Sequence, residues 1–130
     1  MTLKKEVKDL TRSELLKLNS ALKQACHEIV GKNKNIFIRT YNINNLNHAA
    51  YYDYEDNSIR VFRGGIKNVN RYVEIFIHEW KHSLQKGLKR RYQKMTDQYG
   101  YWNNPYEVEA REAEKIFKSQ VWKRTKELMK

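Results

Sequence analysis

Cysteine and proline are nearly missing from this chain of 130 residues, which contains one of each and five glycines. A single cysteine excludes an internal disulfide framework and favours a reducing compartment. No segment approaches the roughly 18 apolar residues of a membrane span, and the first residues lack the apolar core of a signal peptide. We therefore expect a single domain over residues 1–130, with no membrane contact, in the cytoplasm or, for a phage-encoded protein, in the virion or host cell.

Acidic residues are scarce relative to basic ones. Lysine and arginine total 26 and aspartate and glutamate 15, which gives a net charge of +11. Residues 81–94 contain six basic residues and no acidic one. Such a surface favours nucleic acid, or an acidic or DNA-associated polypeptide, as a partner, and a solvated face without a dedicated partner is an equal alternative. The sequence contains no recognition-helix module or zinc-finger spacing, so we expect no sequence-specific DNA reading.

The most informative stretch is a His-Glu-x-x-His motif at residues 78–82. Helix positions four apart share a face, so His78 and His82 can direct two imidazole nitrogens toward one ion. Two neutral imidazoles suit zinc, and Glu79 is placed to reach a water on the metal. Zinc lowers the pKa of such a water to roughly 7, where a carboxylate can take its proton. The motif thus predicts a Zn²⁺ cofactor, with Glu79 as the catalytic base and not a ligand.

The motif lies in a predicted helix. Residues 72–86 contain no proline or glycine, apolar residues recur there at helical spacing, and Gly87 is suited to the position just past a helix end. The alternative is that His78 and His82 are ordinary surface or core residues without a metal. The helical context and the carboxylates downstream favour the metal site.

A catalytic zinc needs a third protein ligand and keeps its fourth position open. The other two histidines, His27 and His48, precede the motif. Downstream, Asn104 as N-cap and Pro105 at the first helical position predict a helix rich in glutamate. We therefore look for the third ligand on that helix.

Four glutamates of this helix differ in their positions. Glu109 shares its face with small and apolar residues, where a carboxylate needs a cation, and is predicted to be the third ligand. Glu112 borders that face and is a candidate hydrogen-bond acceptor for a ligand histidine. Glu107 suits a capping box, and Glu114 is predicted to be solvated. Glu112 and Glu107 remain the alternative ligands.

Residues 88–102 connect the two helices and must lie near the cleft. Apolar and aromatic residues repeat at helical intervals up to Gly100, which predicts a short helix followed by a turn. Tyr99, Tyr101 or Trp102 would line the entrance. Tyr99 and Tyr101 are candidate donors to the oxyanion of a tetrahedral intermediate, although packing is the commoner role for each of these tyrosines.

The first half of the chain predicts one helix and a small sheet. Thr11 and Glu14 form a capping box before an amphipathic helix over residues 12–30. Strands are predicted at residues 36–41, 49–54 and 58–63, the last two as a hairpin. The expected fold class is α+β, with an N-terminal helix, a three-stranded sheet, the motif helix, and a C-terminal helix that carries the third ligand.

The motif, with a helix about thirty residues later that opens Asn-Pro-x-Glu-x-Glu-Ala, resembles the small gluzincin-type metallopeptidases, especially the ImmA/IrrE-like domains and related phage and bacterial proteins. The resemblance covers residues 36–117. It implies a zinc metallopeptidase with ligands His78, His82 and Glu109 and with Glu79 as the base. In such enzymes an edge strand beside the motif helix commonly holds the substrate in extended form, and the hairpin is the candidate here. An ordinary sheet edge is the equal alternative.

A non-enzymatic interpretation remains: a basic nucleic-acid-binding or structural phage or bacterial protein on a metallopeptidase scaffold. Glu79 favours catalysis, because a structural zinc site needs no base and closes its fourth position. The predicted function is therefore hydrolysis of peptide bonds in a specific intracellular protein.

Overall fold

The computed structural model describes residues 5–130 and contains four α-helices and three β-strands. They are α1 (Arg12–Ile29), β1 (Phe37–Tyr41), β2 (Ala50–Asp53), β3 (Ser58–Phe62), α2 (Val69–Leu84), α3 (Leu88–Asn103) and α4 (Pro105–Leu128). Residues 1–4, part of the segment that lacks a signal-peptide core, lie outside the described residues. Within residues 5–130, no helix is long and apolar enough to cross a membrane.

α1 begins at a capping box, as the sequence predicts. Thr11 Oγ1 accepts a hydrogen bond from the Glu14 backbone N–H at 3.1 Å, and Glu14 Oε1 accepts one from the Thr11 N–H at 2.9 Å. These bonds satisfy backbone donors that the first helical turn leaves without intrahelical partners. The apolar stripe of α1 is buried, including Leu18, Leu22 and Cys26. The stripe is therefore part of the core.

The strands form one mixed sheet in the order β1-β3-β2. β3 is parallel to β1 and antiparallel to β2. The β2–β3 hairpin turns through Asn57, whose φ of 52° is a left-handed conformation that asparagine tolerates. The predicted α+β class is confirmed. β2 is left at an edge of the sheet, with one row of backbone groups not paired to β3.

The core holds α2 and α4 in a fixed relation. α2 contributes the fully buried Phe76 and Trp80, and Trp80 Nε1 donates to the Gly31 carbonyl at 2.8 Å. α4 places the small Ala110 and Ala113 at buried positions. Small side chains at a helix contact allow the two axes to approach closely. The N-terminal half of α4 can therefore pack directly against the motif helix.

The junction between α2 and α3 differs from the prediction. α2 ends at Leu84, and the backbone of Gln85 is extended. Gly87, with a φ of 75°, is the N-cap of α3 and not the residue directly after α2. The Gln85 side chain gives the reason, because its Nε2 donates to the Tyr106 carbonyl at 2.8 Å and its Oε1 lies 2.7 Å from His82 Nδ1. These contacts stabilise an extended backbone where helical propensity alone predicts continuation.

α3 lies on the surface. Leu88 is its one buried residue, and most of its other side chains are exposed. The helix is kinked at Gly100, where the sequence predicts a turn and where φ is 82°. A side chain would be strained at such a φ, whereas glycine adopts it freely.

Candidate metal centre

Three side chains that can bind a metal meet between α2 and α4. His78 and His82 lie on successive turns of α2, and Glu107 lies in the first turn of α4. Glu107 Oε1 is 2.9 Å from His78 Nε2 and 3.2 Å from His82 Nε2. One donor atom of each residue lies within 4.8 Å of the other two. These three residues are the ligand cluster.

The ligand cluster fits a zinc ion by distance and by donor type. Tetrahedral zinc with bonds of roughly 2.0–2.1 Å separates its ligand atoms by about 3.3 Å. The two distances from the histidine nitrogens to Glu107 are within a few tenths of an ångström of this value. Two imidazoles and one carboxylate are a common donor set for catalytic zinc. Three ligands leave the fourth position for water or substrate.

The structure does not bring Glu109, the predicted third ligand, to the two histidines. The Glu109 side chain is 55% exposed, with Lys81 Nζ 3.5 Å away and Gln85 Nε2 3.4 Å away. The Glu107 side chain is 4% exposed and faces both histidines. Residues two apart on a helix point about 200° away from each other, so only one of the two can face α2.

Two features explain why the sequence favours Glu109 whereas the structure places Glu107 beside the histidines. Glu107 occupies a capping-box position, but the Asn104 side chain alone caps α4 by accepting from the Tyr106 N–H at 2.9 Å. Glu107 is therefore not used in the cap. A signal for it was available, since Glu107, Ala110 and Glu114 recur at a spacing of three and four. Such a stripe marks the buried seam between two helices.

Glu114, and not Glu112, contacts a histidine of the ligand cluster on the side away from Glu107. Glu114 Oε2 lies 2.6 Å from His78 Nδ1, and Glu114 Oε1 accepts from the Arg71 guanidinium at 3.2 Å. The predicted candidate Glu112 is exposed. A carboxylate on the second ring nitrogen of a ligand histidine fixes the tautomer and the ring orientation. Gln85 makes the equivalent contact with His82.

Tyr92 is the functional residue that the sequence did not single out. Its hydroxyl donates to Glu107 Oε2 at 2.5 Å, which holds the carboxylate oriented toward the histidines. The two predicted oxyanion donors are both exposed, but Tyr101 lines the cleft at the motif, whereas Tyr99 is not among the lining residues within residues 5–130. Tyr92 was one of several aromatic positions at helical spacing, and its role depends on the approach of α4.

The environment of Glu79 suits a proton acceptor. Burial raises the pKa of the Glu79 carboxyl to about 7, although the positive charges of His82 and His78 oppose the rise. The backbone N–H of Tyr52, on β2, acts in the opposite sense to burial and favours the charged form of this carboxylate. A base whose pKa is near neutral can accept and return a proton at physiological pH.

The ligand cluster stabilises charges of opposite sign without a metal. Burial lowers the pKa of His78, but the hydrogen bonds to Glu107 and Glu114 outweigh it and raise that pKa to about 10. Burial raises the pKa of Glu107, but His78 and His82 outweigh it and hold that pKa far below its usual range. A bound cation would replace these protons as the partner of Glu107, because metal ligands must be deprotonated.

A cleft of about 200 Å³ opens beside Glu79, between β2 on one side and α3 on the other. The Ala49 carbonyl accepts from the Phe62 N–H at 2.9 Å. Hydrogen bonding alternates along an antiparallel pair, so Ala50 and Tyr52 direct their backbone groups away from β3. The effect of the Tyr52 N–H on Glu79 agrees with this direction. The free edge of β2 therefore borders the cleft.

A larger surface cavity, about 700 Å³, lies elsewhere, along α1. Three lysines and His27 are among its lining residues, and none of the motif residues borders it. His27 accepts a hydrogen bond from the Asn33 backbone N–H, and Cys26 is buried, so neither contributes to the ligand cluster. Size alone does not identify the site. The convergent ligands and the buried Glu79 locate it in the smaller cleft.

Comparison of the chain with protein-family models, curated proteins and solved structures finds no match. The chemistry of the cleft therefore rests on its own side chains. They offer three side chains that could hold a metal, a buried carboxylate beside them, and several tyrosines, among them Tyr92 and Tyr101. This combination suits the hydrolysis of a carbonyl compound.

Proposed function

We propose that the chain is a zinc-dependent metallopeptidase in which His78, His82 and Glu107 hold Zn²⁺ and Glu79 is the general base. The observation that carries the proposal is the convergence of three ligand side chains at zinc-like distances, in the same cleft as a buried glutamate. The resemblance to small gluzincin-type peptidases supports it, with Glu107 in place of Glu109 as the glutamate ligand.

Zinc, when bound, would polarise the scissile carbonyl and make a water acidic enough to be deprotonated near neutral pH. Glu79 would accept that proton and pass it to the leaving amine. Glu79 lines the cleft, and the Tyr52 N–H favours the charged form of its carboxylate. Glu114 and Gln85 keep the two imidazoles turned toward Glu107.

Tyr101 is the proposed donor to the developing oxyanion. Burial and the negative charges of Glu107 and Glu79 raise the pKa of Tyr101 to about 12, so its hydroxyl keeps its proton at neutral pH. Such a hydroxyl can stabilise negative charge that develops on the carbonyl oxygen. Tyr92 is a positioning residue, because its hydroxyl is already bonded to Glu107.

The substrate class that fits the cleft is an extended polypeptide. The backbone groups of Ala50 and the Tyr52 carbonyl, which point away from β3, can add a substrate strand to the edge of the sheet, which would place its carbonyls beside Glu79. Backbone pairing of this kind accepts many side chains. Selectivity would then come from the pockets at the two ends of the cleft.

One observation favours a second function, a basic protein that binds nucleic acid without catalysis. Of the exposed cations on α3, Lys89 pairs with Glu55 at 3.4 Å, whereas Arg90, Arg91 and Lys94 have no carboxylate partner within residues 5–130. Unpaired cations in a row are the electrostatic signature of phosphate binding. They do not explain a buried Glu79 beside three metal ligands.

The decisive experiment compares wild type with Glu79→Gln in metal content and in peptide hydrolysis. We expect about one zinc per chain in both, and loss of at least about 100-fold in the cleavage of a proteome-derived peptide mixture by the variant, since general bases contribute roughly 10²–10⁴. Glu112→Gln, an exposed glutamate of α4, is the matched control and should behave as wild type.

Two results would contradict the proposal. Cleavage by Glu79→Gln at the wild-type rate would remove Glu79 as the base. A wild-type chain that takes up no zinc after replenishment would remove the metal site, and the nucleic-acid function would then become the first candidate.

A further inference from the structure

We propose that a subsite at one end of the cleft, formed by Arg111, Trp102 and the chain just before β2, binds a carboxylate of the substrate polypeptide. The inference rests on the proposed peptidase function and adds a substrate class to it. These residues are called the carboxylate subsite below.

The carboxylate subsite adjoins the catalytic residues. A second cavity of about 250 Å³ is lined by residues 47–50 on one side and by Trp102 and Arg111 on the other. His78 and Glu79 also line this cavity, so it opens directly onto the proposed centre of chemistry. Because Arg111 and Glu79 line the same cavity, a substrate bound there would meet the subsite close to the scissile bond.

Arg111 is held in place before any substrate arrives. Its Cζ lies 3.8 Å from the centroid of the Trp102 ring, and its guanidinium donates to the Trp102 carbonyl. Cation–π stacking on one face leaves N–H groups at the edge of the guanidinium. Because the side chain is already ordered, a ligand that binds it costs less conformational entropy.

The positive charge of Arg111 is not balanced by a carboxylate among residues 5–130, unlike that of the other arginine of the same cavity. Arg71 lies 3.2 Å from Glu114 and 3.7 Å from Glu74, so its charge is balanced. Arg111 has no carboxylate within ion-pair distance among residues 5–130. Its positive charge is close enough to the Tyr101 hydroxyl to oppose the rise in the pKa of that group.

A carboxylate is the group that matches these features. A guanidinium presents paired N–H donors in a plane, and a carboxylate accepts two of them at once. Aspartate and glutamate side chains offer this group, and so does the terminal carboxylate of a peptide. Both sources fit an enzyme that selects acidic sequences or chain ends near the cut.

The test profiles zinc-loaded wild type on a proteome-derived peptide library, once with free C-termini and once with amidated C-termini. We expect acidic residues to exceed asparagine and glutamine about tenfold at one position near the cut, the effect of one charge-assisted hydrogen bond pair. Persistence of this preference after amidation assigns the subsite to a side-chain carboxylate. Loss of cleavage on amidation, with no internal preference, assigns it to the chain terminus.

Variants of Arg111 give the second arm. Arg111→Gln should reduce the ratio of acidic residues to asparagine and glutamine to near one, and Arg111→Lys should retain part of the preference. Arg111→Glu should shift the preference to lysine and arginine. Zinc content should stay at the wild-type level in all three. Lys123→Glu makes the same charge change on the same helix, about 18 Å along its axis, and should leave the profile unchanged.

The possible failures are distinguishable. Cleavage without an acidic or terminal preference overturns the carboxylate subsite and leaves the peptidase intact, as does a preference that survives in Arg111→Gln. No cleavage of either library by the zinc-loaded wild type removes the proposed function and the subsite with it. The wild-type profile requires no variant, so a variant that fails to fold does not affect the first arm.

Discussion

The two sides of the cleft are built in different ways. α2 buries nine of its sixteen residues, including Glu79 and His82, and its contact with α4 carries the ligand cluster. α3, equally long, buries one, has left-handed glycines at its start and near its end, and exposes a row of cations. In the proposed peptidase, the packed helix pair would fix the position of the reacting groups, whereas the exposed helix would control which molecules approach them.

This division has an energetic basis. Side chains that are packed in a core have few alternative positions, so the ligand atoms on α2 and α4 are held at fixed separations. A surface helix with one buried residue has little to lose when it opens locally. We therefore expect substitutions on α4 that face α2 to change metal binding, and most substitutions on α3 to change only substrate selection.

The largest difference in zinc affinity is expected between substitutions of two glutamates of α4. Glu107→Gln should weaken zinc binding by more than about 100-fold, because it removes a charged ligand, an effect larger than that of the supporting residues. Glu109→Gln should leave it within about twofold of wild type, since that side chain is exposed and contacts only Lys81 and Gln85. Competition with a chromophoric chelator measures both affinities.

The reverse result, with Glu109→Gln losing zinc and Glu107→Gln keeping it, would restore the ligand set expected from sequence. Equal losses would mean that the packing of α4 against α2, and not a particular carboxylate, determines the affinity. Circular dichroism of the metal-free variants separates a lost ligand from a lost fold.

The sequence alone predicts the helices and the histidine pair, but it does not decide between Glu107 and Glu109. The caps at Thr11 and Asn104 and the periodicity of the helices are local signals, and the structure has these helices to within a few residues. The histidine spacing is local too, since both ligands lie on one helix. The choice between Glu107 and Glu109 depends on which face of α4 meets α2, which is a tertiary fact.

Glu114 and Glu112 differ in whether they contact a histidine of the ligand cluster. Glu114→Gln should weaken zinc binding by roughly 10–100-fold, because the carboxylate at 2.6 Å from His78 Nδ1 fixes the ring and raises its basicity. Glu112→Gln, two residues away on the exposed face, should have no measurable effect. Zinc competition at neutral pH tests both. An equal loss in the two variants would point to the overall negative charge of α4 as the cause.

The smallest expected effect tests a hydrogen bond by which α3 reaches the ligand cluster. Tyr92→Phe removes the hydroxyl that donates to Glu107 Oε2 at 2.5 Å. A hydrogen bond of this kind contributes about 1 kcal/mol, so zinc affinity should fall about five- to tenfold. Tyr99→Phe, on the same helix with an exposed ring, is the matched control and should leave the affinity unchanged.

Hydrogen exchange of the α3 amides gives the second measurement on the same pair. Faster exchange along α3 in Tyr92→Phe, with unchanged protection of α2 and α4, would mean that this hydroxyl anchors the exposed helix to the packed pair. The Asn104 side chain, which donates to the Tyr92 carbonyl at 3.2 Å and to Thr96 Oγ1 at 2.9 Å, would remain as the other tether. If exchange rises equally in α2 and α4, the two sides of the cleft are one cooperative unit, and the contrast drawn between them fails.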